Sequence, residues 1–191
     1  VKNHQHYLSR SSYLGKDYEY HHELEIRKIK DIISIYIESG IHEICSFYAY
    51  DGTVFRGLND LMTRHSFTDV ELSEGSRDYV KHKAPDATYL ITEDSTPLEA
   101  ETMDLCVCLF SLEKLPDYRF VLDESHRILK TTGRLQIFFK NKRSIFGLIY
   151  WVVEKVLGAK SISAVFPLSA GPYEPLSENK LEKCLERASF E

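Results

Sequence analysis

Residues 103–110, Met103-Asp104-Leu105-Cys106-Val107-Cys108-Leu109-Phe110, form an apolar run broken only by Asp104 and bounded by polar residues. A run of this length fits a strand buried on both faces, the situation of a central strand in a parallel sheet. Downstream, Tyr118–Lys130 carries an amphipathic helical pattern stopped near Gly133, and Arg134–Lys140 (RLQIFFK) reads as the next strand. Upstream, Thr88–Ile91 and Phe67–Leu72 are short strands, and a helix over about Ser76–Lys83 separates them. Farther back, Ile41–Phe47 is a strand followed by a helical stretch, Thr53–His65, with Val54, Leu58 and Leu61 on one face. Before it, Ile26, Ile29, Ile33 and Tyr36 recur at helical spacing over Glu23–Ser39, with Gly40 as the stop. Strands alternating with helices through short connections predict an α/β, Rossmann-like fold, mostly parallel, with helices on both sheet faces.

The chain's 191 residues suit one domain with a real core. Residues 1–22 lack periodicity and are expected to form an N-terminal arm, leaving 23–191 as the domain. A formal charge of −5 gives no basic surface for a phosphate backbone, so no nucleic-acid partner is expected. Cys45, Cys106, Cys108 and Cys184 include no CxxC pair, and they read as small core residues in a reducing, cytoplasmic compartment. No metal site is expected. No signal peptide is evident in Val1–Tyr20, and the apolar stretch Ile145–Leu157 is too short and too charged to span a bilayer.

In an open parallel sheet, ligands bind beyond the carboxyl ends of the strands, where the strand order reverses. The first strand leads into Asp51-Gly52-Thr53, and a glycine there lets a ligand approach the amides opening the next helix. The second ends at Glu71-Leu72, where a carboxylate suits a pair of ribose hydroxyls. After the third stand Glu93-Asp94-Ser95, placed to accept from an exocyclic adenine amine. Acidic strand ends repel a polyphosphate and suit a nucleoside with a cationic centre, such as the sulfonium of S-adenosylmethionine. Taken singly, each carboxylate reads more often as a cap or a solvated loop charge. The set is what points to a site.

The stretch 84–140 resembles the class I S-adenosylmethionine-dependent methyltransferases of the ubiquinone- and menaquinone-methylase type. APDATYLITEDSTPLEAETMDLCVCLFSLEKL is similar to the family's strand, acidic loop, Leu-Pro turn and following strand. DESHRILKTTGRLQIFFKN is similar to its "E…RVLKPGG.L.I…N" segment, with Glu124, Arg127, Leu129, Lys130 and Gly133 in matching places. Weaker likeness extends over 24–191. The resemblance implies S-adenosylmethionine as cofactor, with Glu71 on the ribose, Asp94 on the adenine, and Glu93 and Ser95 flanking. It further implies Leu72 against the adenine face, and Leu109 and Phe110 beside the methyl donor.

The sequence departs from the family at the first loop, normally E/D-x-G-x-G-x-G. Here Glu43-Ile44-Cys45-Ser46-Phe47-Tyr48-Ala49-Tyr50-Asp51-Gly52 keeps only the last glycine. Glu43, Cys45, Ser46, Asp51 and Gly52 are its candidate cofactor contacts, and two readings stand. Either Phe47, Tyr48 and Tyr50 fill the ligand's place, or the loop bows outward and Asp51-Gly52 serve, as in relatives reading "EIGSNDG". Lys114 stands where many relatives have histidine, and Thr131-Thr132 replaces a Pro-Gly turn. The family's sheet continues with a further strand or hairpin, so either a fragment or a sheet shortened at its C-terminal edge is expected.

No side chain declares itself a catalytic base. His42 and His126 lie at a strand start and on a covering helix, and His4 and His6 on the arm. Methyl transfer is an in-line displacement in which positioning does much of the work, and a base is needed only when the acceptor loses a proton. About 142–176 is expected as a lid or insertion over a small-molecule or lipid-like acceptor. Its basic and aromatic start, Lys142–Leu157, reads either as a lid helix or as a peripheral membrane contact. Two other functions compete with the enzyme: an inactive methyltransferase-like binding or scaffolding protein, and a nicotinamide-dependent dehydrogenase. The absence of GxGxxG counts against the dehydrogenase.

Overall fold

The structure is a computed structural model, described here for residues 16–37, 40–48, 65–71, 87–92, 95–109, 111–112, 117–139 and 176–190, and for isolated positions between them (74, 77, 78, 81, 115, 141, 143, 152, 155 and 156). The elements run α1 (Lys16–Ile37), β1 (Glu43–Phe47), β2 (Ser66–Glu71), β3 (Thr88–Ile91), β4 (Met103–Leu109), α2 (Arg119–Ile128), β5 (Leu129–Phe138) and α3 (Glu178–Arg187). The strands form one five-stranded sheet in the order β3-β2-β1-β4-β5, with every pairing parallel. After β3 the chain crosses over β2 and β1 to lay down β4. The strand order therefore reverses between β1 and β4.

The expected central strand is β4. Six of its seven residues are buried, because side chains that alternate across it meet helices on both faces. Leu105, Val107 and Leu109 pack with Ile44 of β1, Phe67 of β2 and Ile29 and Ile33 of α1. Cys106 and Cys108 face the other way, into a larger core with Cys45, Phe47 and Val70, the α2 residues Val121, Leu122 and Ile128, and Leu181 of α3. Two cores separated by a sheet are what the alternating sequence predicts.

Three boundaries differ from the sequence reading. α1 begins at Lys16, so the helix takes in the last residues read as an arm. β1 starts at Glu43 rather than Ile41. β5 starts at Leu129, directly where α2 ends, without an intervening turn. There Met103 pairs with Leu129 and Leu105 with Arg134, so 130–133 bulge opposite the single residue Asp104. The Asp104 carboxylate holds this irregularity together: Lys130 Nζ donates to it at 2.7 Å, and the amides of His42 and Glu43 donate at 3.0 Å each. Partial burial opposes ionisation, but the amide of Glu43, the Lys130 ammonium and the amide of His42 outweigh it. They hold the Asp104 carboxyl at about 2.

Beyond β5, Asn141 bridges to Leu176 in parallel, so the chain re-enters beside the end of the edge strand before α3. Ser177 caps α3 by accepting from the Lys180 amide. No helix among the described residues is long and apolar enough to cross a membrane.

Candidate functional site at the carboxyl edge of the sheet

The carboxyl ends of the strands are Phe47, Glu71, Ile91, Leu109 and Phe138, and they share one edge because the sheet is parallel. Glu71 closes β2 and is 4% exposed. Its carbonyl accepts from Thr92, which ties the first residue after β3 to the end of β2. Thr92 also closes a turn: its hydroxyl donates to the Ser95 carbonyl at 2.7 Å and accepts from the Ser95 amide at 3.2 Å. Glu93 and Asp94 lie between these two residues, outside the described set.

The loop leaving this turn is bolted to α2. Glu124 Oε1 accepts from the Thr96 amide at 2.8 Å, the Thr96 hydroxyl at 2.5 Å and Arg127 Nη2 at 2.6 Å. Arg127 Nε donates to Glu124 Oε2, and its Nη2 donates to the Leu98 carbonyl. Burial raises the Glu124 carboxyl, but hydrogen bonds from Arg127 and Thr96 prevail and leave it below the ordinary carboxylate range. The paired Glu and Arg singled out in the sequence thus position the loop that follows the acidic turn.

At the first loop, the structure places Glu43 away from the carboxyl edge. That residue opens β1 opposite Ser66, at the amino edge, with its amide on Asp104. Glu43, a candidate cofactor contact, thus stands at the opposite end of β1 from Phe47, which closes the strand at the carboxyl edge. Cys45 is wholly buried toward α2. A hydrogen bond with Cys106, then burial, pushes its thiol well above the usual range, so it packs rather than reacts.

Counting back from Asp51-Gly52 against the "EIGSNDG" form puts Ser46 at the acidic position and Tyr48 at the first glycine. Tyr48 has φ +56°, the left-handed conformation that a glycine adopts without penalty. Its amide donates to the Val70 carbonyl at 2.8 Å. Its ring is buried in the α2-side core, edge-on to Phe47 at 6.3 Å. Tyr48 thus reproduces the backbone shape of the missing glycine while packing inward.

Ser46 stands directly opposite Asp69 of β2, and its hydroxyl donates to the Asp69 carboxylate. Both are buried, Asp69 completely. Asp69 was not among the sequence candidates, although its spacing of two from Glu71 on a strand places both on one face. Ser111, just past β4, is also buried, and its hydroxyl has no partner among the described residues.

The structure thus gathers Ser46, Glu71 and Leu109 along one edge, with Ser95 closing the turn after β3. Asp51, Gly52, Leu72, Glu93, Asp94 and Phe110 lie outside the described residues, as does most of the 142–176 lid. The histidines stand elsewhere. His42 stacks on His65 near the amino ends of β1 and β2, and His126 lies on α2 against Phe190.

No curated protein matches the sequence. Residues 51–137 match the family model described as a methyltransferase domain. Among solved structures, a SAM-dependent methyltransferase from Thermotoga maritima is 18% identical, with a TM-score of 0.64 over 91% of this chain and 77% of that one. Another, from Aquifex aeolicus, is 18% identical with a TM-score of 0.60, over 87% of each chain. The trans-methyltransferase CalH, solved in complex with SAH, is 19% identical with a TM-score of 0.50, over 78% of this chain and 44% of that one. At such identities the likeness to solved structures is one of fold. With the reversal of strand order between β1 and β4, these likenesses show a Rossmann-like fold of the kind the solved methyltransferases have, and within it residues 51–137 match the methyltransferase-domain model.

Proposed function

We propose that the protein is an S-adenosylmethionine-dependent methyltransferase acting on a small-molecule or lipid-like acceptor. The observation that carries this reading is the buried Glu71 carboxylate closing β2 at the carboxyl edge, next to the strand on which the order reverses. A carboxylate accepts two hydrogen bonds from vicinal hydroxyls, which suits a ribose. Asp94, between Thr92 and Ser95, would take the adenine amine, with Glu93 and Ser95 beside it. On this reading Leu72, Leu109 and Phe110 would line the apolar side of the cofactor, and Asp51-Gly52 would serve its methionine end.

The residues fit such a group chemically. The acidic lining suits hydroxyls and a cation, and the Ser111 hydroxyl, buried with no partner among the described residues, is the kind of group that a polar ligand satisfies. When bound, the cofactor supplies an electrophilic methyl on sulfonium. The chain's own part is to hold donor and acceptor in line and to exclude water. Thr92, Ser95, Thr96 and the Glu124–Arg127 pair fix the adenine-side turn for that purpose.

One observation favours an inactive, ligand-binding or scaffolding relative: a tyrosine held at φ +56° at the position counted as the first glycine. A thermal-shift titration with S-adenosylmethionine and S-adenosylhomocysteine separates the two. Binding at about a hundred times the dissociation constant adds roughly 2.7 kcal/mol of stability. A clear rise in Tm supports the cofactor site, and no rise at millimolar ligand supports the scaffold.

A further inference from the structure

Val152, Lys155 and Val156 are helical and exposed, and the two valines, 43% and 72% exposed, stand four residues apart on one side of the helix. The ten residues Ser144–Val153 carry no charge and include Phe146, Tyr150 and Trp151. Around them stand four basic residues, Lys142, Arg143, Lys155 and Lys160, against the single acid Glu154. The stretch 142–160 is therefore +3 within a chain of −5, which leaves −8 on everything else. Arg143 is exposed, and its guanidinium donates to Asn179 of α3 at 3.3 Å, which ties the start of the stretch to that helix.

Charge separates this surface from the other exposed apolar pair. Ile32 and Ile35 lie on α1, where four basic residues face five acidic ones. Exposed valines beside an excess of bases, on an otherwise acidic molecule, complement an anionic lipid bilayer: apolar side chains enter the acyl boundary and lysines meet the head groups. A nucleic acid offers the charge without the apolar layer, and a two-fold contact with a second copy brings the same bases face to face. We infer that 142–160 docks the protein on an anionic membrane surface, with Val152 and Val156 against the lipid and Lys155 on the head groups. Such docking does not depend on the cofactor reading above.

Trp151 is the chain's only tryptophan and so reports on this stretch alone. The full chain is titrated with vesicles of phosphatidylcholine, and of phosphatidylcholine with phosphatidylserine, following tryptophan emission and flotation. With phosphatidylserine present, emission is expected to shift to the blue, to be quenched when the phosphatidylcholine is brominated, and to revert at high salt. Lys155→Glu, a change of two charges, should weaken partition about thirtyfold. The double variant Val152→Asp with Val156→Asp should weaken it at least about tenfold, with Tm close to wild type because both side chains are exposed.

A wild-type chain that floats with neither vesicle, or equally with both, overturns the proposal, as does a Lys155→Glu variant that partitions like wild type. If circular dichroism shows the valine variant unfolded, Lys155→Glu decides alone. A wild-type chain that ignores vesicles but dimerises in sedimentation, with the valine variant monomeric, gives this surface to a second copy and overturns the proposal too.

Discussion

Thr96 gives both its amide and its hydroxyl to one oxygen of Glu124, across 28 residues of sequence, and Arg127 grips the same carboxylate from the other side. The loop after β3 is thereby clamped to α2 rather than left to its own turn propensities. Glu124→Gln keeps the volume but loses the charge that strengthens four hydrogen bonds, and is expected to cost about 2 kcal/mol. Glu124→Ala, which strands the Thr96 donors, should cost about 3 kcal/mol. Urea unfolding of the two variants checks both values, with the midpoint falling in that order.

Asp104 makes stability depend on acid. Its carboxyl lies at about 2 in the folded chain against an ordinary value of 3.8. The folded value is depressed, so its contribution is fully present above 3.8 and is lost as pH falls through 2. That contribution is worth about 2 kcal/mol. Asp104→Asn should therefore be less stable than wild type by roughly this amount at pH 7, with the gap closing toward pH 2. Parallel denaturation curves between pH 2 and 7 test it, and a gap independent of pH rejects the assignment.

Gly133 sits in the bulge that Asp104 braces. A Cβ there would meet Leu129 Cδ2 and the Lys130 carbonyl oxygen at 2.9 Å each. The second contact is backbone and cannot swing aside. Gly133→Ala is expected to destabilise by about 1–3 kcal/mol despite alanine's usual advantage over glycine. A lowered Tm with unchanged far-ultraviolet circular dichroism is the expected outcome.

At Tyr48 two effects oppose each other. Glycine would relieve the left-handed backbone by about 1 kcal/mol, but losing a buried aromatic ring costs about 3–5 kcal/mol. Packing wins. Tyr48→Gly should be less stable than wild type by roughly 2–4 kcal/mol, measured by chemical denaturation. A more stable variant would mean that strain, and not burial, dominates this turn.

On the proposed function, Glu71→Gln keeps the side chain's size and removes its charge. Binding of S-adenosylhomocysteine should weaken about thirtyfold, the loss of a charge-assisted pair of hydrogen bonds. Titration calorimetry reads this directly, and affinity within about twofold of wild type would remove Glu71 from the ribose role.

The class of fold is legible in the order of residues alone. The apolar run over Met103–Leu109, short and bounded by polar residues, announces a strand buried on both faces, and alternation with amphipathic helices implies parallel pairing. Those signals are local, set by side-chain periodicity within a single element, and they survive without neighbours. Which residues reach the carboxyl edge depends on how the strands pair. A shift of a few residues along β1 exchanges Glu43 for Ser46 there, and nothing in the local pattern distinguishes them. The pairs Ser46–Asp69 and Thr96–Glu124 join residues 23 and 28 positions apart. They exist only because strand register and helix packing bring them together, and register depends on both partners at once, not on either segment alone.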